Sequence, residues 1–143
     1  MILLLDTNII VDIISMREGY SDSLNLIRYC EIGIVKGYVT ATTVTDLMYI
    51  LRKHIEPGGV REAVHTLLYI VDVVSVLKRD IVSAFKSIIN DYEDAIQPIC
   101  AERIKADYIV THNLKDFKNS ILPAISPNDI LRIIANGTKL YRQ

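Results

Sequence analysis

The chain has 143 residues, of which 50% are hydrophobic, 23% charged and 7% aromatic, with a mean hydropathy of +0.27. This composition excludes a disordered chain, and at this length the expectation is one domain that buries roughly 68–70% of its unfolded surface, enough to stand without disulfides or a structural metal. Sixteen Lys and Arg against 17 Asp and Glu leave a net charge of −1, so bulk charge argues only weakly against a polyanionic partner.

Short apolar runs alternate with longer amphipathic stretches, the pattern of a parallel sheet covered by crossover helices. In chain order, a strand at Ile2 to Leu5 precedes helices over Thr7 to Met16 and Ser21 to Gly33. A strand at Gly37 to Thr40 leads into helices over Thr42 to Lys53 and Gly58 to Ile70, separated by the breaker Pro57-Gly58-Gly59. A strand at Asp72 to Val76, helices over Arg79 to Asn90 and Glu93 to Lys105, and strands at Asp107 to Val110 and Ile121 to Ile125 follow. Ser126-Pro127-Asn128-Asp129 opens a last helix, to Ala135, with Pro in the first turn. The expected fold is a three-layer α/β/α domain over residues 1–136, with a central parallel sheet of four or five strands and a C-terminal tail over 137–143.

The opening apolar run meets Asp6, Asn8 and Asp12 at once, so it lacks the basic region and the length of a signal peptide. No later stretch is long and apolar enough for a bilayer. Cys30 and Cys100 stand far apart, with neither disulfide-framework nor zinc-knuckle spacing, and a cytoplasmic, non-membrane protein is expected.

The acids fall at meaningful places. Asp6 ends the first strand, and in open parallel sheets ligands bind outside that carboxyl edge. The plainest role for Asp6 is to cap the following helix, with Asn8 a turn residue. Asp46 falls in the first turn of the helix that follows the Thr40-Ala41-Thr42-Thr43-Val44-Thr45 turn, and a solvated helix position is its plain reading. Asp91, Glu93 and Asp94 open another helix, where acids are ordinary complements of the helix dipole. Pro98 is tolerated there if the helix starts near Asp94 and is a kink if it starts at Asp91. Thr111, Asn113 and Asp116 follow the fourth strand, where local capping would account for Asn113 or Asp116. Each site has a dull explanation, yet parallel strands would bring Asp6, Asp46, Asp94 and Asp116 to one cleft. Carboxylates packed together repel unless a proton or a cation intervenes, and oxygen donors suit hard divalent ions.

Leu5-Asp6-Thr7-Asn8, Thr43-Val44-Thr45-Asp46-Leu47, Asp91-Tyr92-Glu93-Asp94-Ala95 and Ile109-Val110-Thr111-His112-Asn113-Leu114-Lys115-Asp116-Phe117 together resemble the PIN domain. That fold is shared by many metal-dependent ribonucleases, among them the toxins of prokaryotic toxin–antitoxin pairs. The resemblance covers nearly the whole chain. It implies Asp6, Asp46 and Asp94 as metal-binding and catalytic acids, with Asn113 or Asp116 at the fourth locus and Thr7, Asn8 and Thr111 in support through hydrogen bonds. It also implies one or two Mg²⁺ or Mn²⁺ ions, an attacking water activated by the metal, an RNA substrate, a possible antitoxin partner and a homodimer. The family's middle acid is commonly Glu where this chain has Asp46, its fourth locus is often Asp where this chain has Asn113, and a frequent Arg is replaced by His112.

Lys115, Lys118, Arg52 and Lys53 are candidate phosphate contacts. No aromatic platform for stacking bases is legible, and His54 and His65 read as surface residues. An aspartyl-phosphate phosphatase would need a second Asp where Asn8 stands, and a response-regulator receiver would need an acidic pair after the first strand. The remaining alternative is a catalytically degenerate PIN-like module that binds RNA or a protein partner.

Overall fold

The computed structural model describes residues 1–140. Strand β1 (Ile2–Leu5) is followed by helices α1 (Thr7–Ile14) and α2 (Tyr20–Glu31), then β2 (Lys36–Thr40), α3 (Ala41–Leu51) and α4 (Pro57–Leu67). The chain continues through β3 (Asp72–Val74), α5 (Lys78–Ala84), α6 (Tyr92–Arg103), β4 (Tyr108–Val110), β5 (Ala124–Ile125) and α7 (Pro127–Leu140). The strands form one parallel sheet in the order β3-β2-β1-β4-β5, with Leu4 of β1 paired to Tyr38 on one side and Ile109 on the other.

The Leu3-Leu4-Leu5 run explains the layering. Successive side chains of a strand point to opposite faces, so a central strand covered on both sides has no polar alternation. Leu3 and Leu5 enter a core with Ile9 and Ile10 of α1, Leu26 of α2, Leu47 and Leu51 of α3, Val60 of α4 and Ile130 of α7. Leu4 enters a second core on the other face, with Ala95, Ile96 and Cys100 of α6 and with Ala84 of α5. Each of the three leucines is fully buried, a contribution of roughly 1.5–3 kcal/mol apiece. The architecture is the expected three-layer α/β/α sandwich, with five strands.

Several boundaries differ from expectation for local reasons. Helix α1 stops at Ile14 because Met16 takes a left-handed φ of 49° and the Arg17 N–H returns to the Asp12 carbonyl, the pattern of a Schellman cap. Helix α5 stops at Ala84 and not Asn90, since Lys86 and Ser87 close three-residue turns and the Ser87 hydroxyl takes the Ile89 N–H. Strand β5 is only Ala124–Ile125, β3 ends at Val74, and α7 runs on to Leu140, so the segment expected as a tail begins inside a helix. Residues 141–143 of that segment lie outside the described residues. Helix α6 starts at Tyr92, which leaves Pro98 in its interior. Pro98 has no N–H for the carbonyl four residues back, that of Asp94, and so the turn bearing Asp94 lacks that bond.

Cys30 and Cys100 are free and buried, and burial pushes both thiols up to about 11, with the Asp80 charge adding to the effect at Cys100. Among the described residues no helix is long and apolar enough to cross a membrane.

Candidate active site

β1 delivers Asp6 to the carboxyl edge of the sheet, where its N–H extends the β1–β4 ladder to the Val110 carbonyl at 3.0 Å. Asp6 occupies the N-cap position of α1, but its carboxylate caps nothing. Instead Oδ1 accepts from Gln97 Nε2 at 2.9 Å and Oδ2 accepts from the Thr111 hydroxyl at 2.7 Å. Asp6 is 5% exposed and Thr111 fully buried, so two side chains from distant elements hold one buried carboxylate in a fixed orientation.

The Thr111 hydroxyl is used fully. It donates to Asp6, so its lone pairs are left for the Asn113 N–H at 3.0 Å and Asn8 Nδ2 at 3.4 Å. Asn8 Oδ1 in turn accepts from the His112 N–H at 3.4 Å. The loops after β1 and β4 are thereby joined through Thr111, with Asn8 and Asn113 as its other partners. Thr7 belongs to a second string of hydroxyls. Its Oγ1 lies 2.9 Å from that of Thr43, which lies 3.1 Å from that of Thr40, itself the N-cap of α3 through the Thr43 N–H. This string ties the β1 edge to the start of the helix that carries Asp46.

Asp46 lies in the second turn of α3, half-buried, and burial pushes its carboxyl above the ordinary range. At the start of α6 the acids divide their roles: Asp91 Oδ1 accepts the Asp94 N–H at 3.3 Å, a capping contact, while Asp94 sits in the first turn of the helix. Asn113 and Asp116 are exposed on the turn after β4, which is anchored by the buried Phe117.

These residues meet. One open cleft of about 390 Å³ is lined by Asp6, Thr7, Asn8, Asp46, Asp91, Asp94, Asn113 and Asp116, together with Gln97, Arg17 and the start of α3. Thr111 lies beneath its floor, in contact with Asp6. A smaller adjoining cleft of about 230 Å³ is lined by Asp91, Asp94, Asp116 and Lys115, which places Lys115 beside the acids. His54 and His65 are exposed and apart from the cleft.

Two participants are absent from the sequence-based set. Gln97 stands three residues after Asp94, on the same side of α6, and that spacing was its only signal. Its amide orientation is dictated by Asp6: a carboxylate only accepts, so the NH₂ faces it and Oε1 faces away. Oε1 is buried without a hydrogen-bond partner. Arg17 is the one cation among the described residues lining the main cleft. Its guanidinium turns to Asp12, 3.5 Å away. Asp12 Oδ2 also lies 3.1 Å from His112 Nε2, an ion pair when the imidazole is protonated, and the same ring nitrogen is hydrogen-bonded to the Ser23 hydroxyl at 3.1 Å.

The donor set fits a hard divalent cation. It is all oxygen, an orphaned buried amide oxygen lies in its wall, and Asp46 is raised by desolvation alone. Among the described residues no three His, Cys, Asp or Glu side chains already enclose a site. Mg²⁺ does not require such a cage, since it commonly uses one or two carboxylates with waters and substrate phosphate.

The PIN domain family model matches residues 3–115. Among solved structures, VapBC2 from Rickettsia felis, bound to a DNA fragment from its promoter, superposes with a TM-score of 0.69 at 18% identity over 88% of this chain and 98% of that one. VapBC-1 from nontypeable Haemophilus influenzae gives 0.66 at 19% identity, over 90% and 99% of the two chains. A toxin–antitoxin complex from Klebsiella pneumoniae gives 0.65 at 20% identity, over 87% and 97%. At these identities the likeness is one of fold. No curated protein matches the chain.

Proposed function

The chain belongs to the PIN-domain family, and from that premise we propose that it is a metal-dependent endoribonuclease, the toxin of a toxin–antitoxin pair. The observation that carries this reading is the buried Asp6 carboxylate, which forgoes the helix cap to be held by Gln97 and Thr111 at the wall of a cleft lined by Asp46, Asp94 and Asp116.

Asp6 and Asp94 would hold one Mg²⁺ or Mn²⁺ ion, and Asp46 with Asp116 or Asn113 would hold a second. When bound, such an ion supplies Lewis-acid polarisation of the scissile phosphate and a water of lowered pKa. Gln97 and Thr111 fix both oxygens of Asp6, so that the ligand needs little reorganisation. Asn8, through Thr111, and Thr7, through Thr43, keep the β1, β2 and β4 edges in register. Lys115 and Arg17 offer cations to neighbouring phosphates, with Lys118, Arg52 and Lys53 further out. Hydrolysis adds the water oxygen to phosphorus, breaks the opposite P–O bond, and leaves a proton to be passed to the departing oxygen.

The VapBC and toxin–antitoxin relatives support an antitoxin as partner, and a cytoplasmic homodimer is the assembly we propose with it. Co-purification with the product of an adjacent small open reading frame tests the partner. The activity is tested on single-stranded RNA with Mg²⁺ or Mn²⁺. Cleavage stopped by a chelator and by Asp6→Asn supports the enzyme, and cleavage that survives Asp6→Asn refutes it. The second reading, a non-catalytic PIN-like module, is favoured by the shorter Asp46 and the uncharged Asn113 at two of the four acidic loci. RNA binding without cleavage under either metal would select it.

A further inference from the structure

Tyr49 stands on α3 three residues after Asp46 and one before Ile50, both of which line the main cleft. Helical neighbours at that spacing have Cβ atoms about 5–6 Å apart, so Tyr49 stands beside Asp46 on the helix surface that borders the cleft. Tyr49 is 56% exposed. The Arg52 guanidinium carbon lies 4.0 Å from its centroid and the Lys53 ammonium 5.7 Å. α3 meets the core through the buried Thr43, Leu47 and Leu51, with Val44, Met48 and Ile50 partly buried against it, and Tyr49 is not among them. Cations at a helix C-terminus are ordinary complements of the helix dipole. That accounts for Arg52 and Lys53, but not for an aromatic face held half out of the core between them and an acidic cleft.

We propose that Tyr49, Arg52 and Lys53 form a stacking platform for the single-stranded nucleic acid that crosses the cleft, with one base on the ring and the adjacent phosphate on the two cations. Aromatic faces accept any base, guanidinium planes stack equally well, and cations follow the backbone, which together make a sequence-tolerant subsite. Its position suits the nucleotide next to the scissile bond, because the cleft is lined by acids and the strand needs cationic anchorage beyond it. The inference rests on the ribonuclease reading, since it takes the cleft as the place where the phosphodiester lies.

The test measures anisotropy of a labelled short oligouridylate on the full chain in an Asp94→Asn background, where the probe is not consumed, and steady-state cleavage in the otherwise unaltered chain. Tyr49→Ala is expected to raise Kd and KM about tenfold, while kcat changes far less and Mn²⁺ binding not at all. Tyr49→Phe, which keeps the ring face, is expected to restore wild-type values. Arg52→Ala with Lys53→Ala is expected to lower the slope of log Kd against log salt by about 0.7 for each phosphate no longer neutralised. A folded Tyr49→Ala chain with unchanged Kd overturns the platform and returns the ring to the surfaces open to a protein partner. A Tyr49→Phe chain as impaired as Tyr49→Ala also overturns it, because the hydroxyl would then be the group that binds. If the wild type binds RNA but cleaves none, the ribonuclease reading fails, and the platform is still decided by the binding arm.

Discussion

Gln97 Nε2 donates to Asp6 Oδ1 at 2.9 Å, a buried contact that joins residues 91 positions apart and orients the carboxylate at the wall of the acidic cleft. Partners of this kind around a ligating carboxylate are commonly worth 10–100-fold in metal affinity. Gln97→Ala is therefore expected to weaken Mn²⁺ binding, measured by calorimetry or electron paramagnetic resonance, by about that factor while the chain still folds. Gln97→Glu should be worse, since it sets a second buried carboxylate against Asp6, and its melting temperature in chelator should fall below that of Gln97→Ala. Equal metal affinity in wild type and Gln97→Ala would remove Gln97 from the site.

Asp94→Asn separates charge from fold. Removing one of several like charges from the cleft should leave the melting temperature without metal unchanged or slightly raised. In the wild type a ligand at a hundred times its Kd adds about 2.7 kcal/mol, a shift of several degrees for a chain of this length. The variant should lose most of that Mg²⁺-dependent shift together with RNA cleavage. Equal stabilisation of both proteins by Mg²⁺ would show that Asp94 is not a ligand.

What the sequence disclosed and what it withheld divide along physical lines. Leu3-Leu4-Leu5 ending in Asp6 is readable because a strand buried on both faces must be apolar throughout and must stop where the sheet meets solvent. The meeting of Asp6, Asp46, Asp94 and Asp116 at one cleft follows from parallel topology, since every strand in such a sheet ends at the same edge. Gln97 escaped because a single polar residue on a mixed helix face reads as exposed, and only the fold buries it against Asp6. Arg17 escaped because its place depends on the left-handed Met16, and a non-glycine residue gives no warning of that conformation. The end of α5 and the brevity of β5 depend on serine side chains and edge pairing, which periodicity does not register.

Two aspartates, Asp80 and Asp46, should give opposite pH dependences. Asp80 is fully buried; burial alone would raise its pKa, but the Leu77 N–H at 2.8 Å, the Arg103 guanidinium at 2.9 Å and the nearby Arg79 charge together hold it below the ordinary value of 3.8. Its contribution is thus present above the unfolded pKa and is lost as pH falls through the lower folded value. Arg103 also donates to the Ser75 carbonyl, so Asp80→Asn strands a cation that bridges α6 to the end of β3, at a cost of about 2–3 kcal/mol at neutral pH. Asp46 has the reverse sign. Burial raises its folded pKa, so its ionisation lowers stability as pH rises from the unfolded value through the folded one. In chelator, Asp46→Asn should stabilise at neutral pH and have no effect in strong acid. Denaturant melts across the acid range check both, and a destabilised Asp46→Asn at neutral pH would contradict the assignment.

Gly37 of β2 offers a test of how tightly α2 is pressed to the sheet. A Cβ there would lie 2.7 Å from the Cys30 Sγ and 3.1 Å from Val71 Cγ1, so both neighbours would have to shift. Gly37→Ala should therefore cost roughly 1–3 kcal/mol, the usual range for overpacking a dense core. Cys30→Ala alone removes a buried thiol and should cost about 1 kcal/mol. Because the closer clash is with that sulfur, the double variant should be more stable than the sum of the two losses, with a coupling of roughly 0.5–2 kcal/mol. Urea denaturation of the four proteins in the cycle measures that coupling. Strict additivity would mean that α2 already yields at Cys30, and that Val71 alone sets the approach of helix and strand.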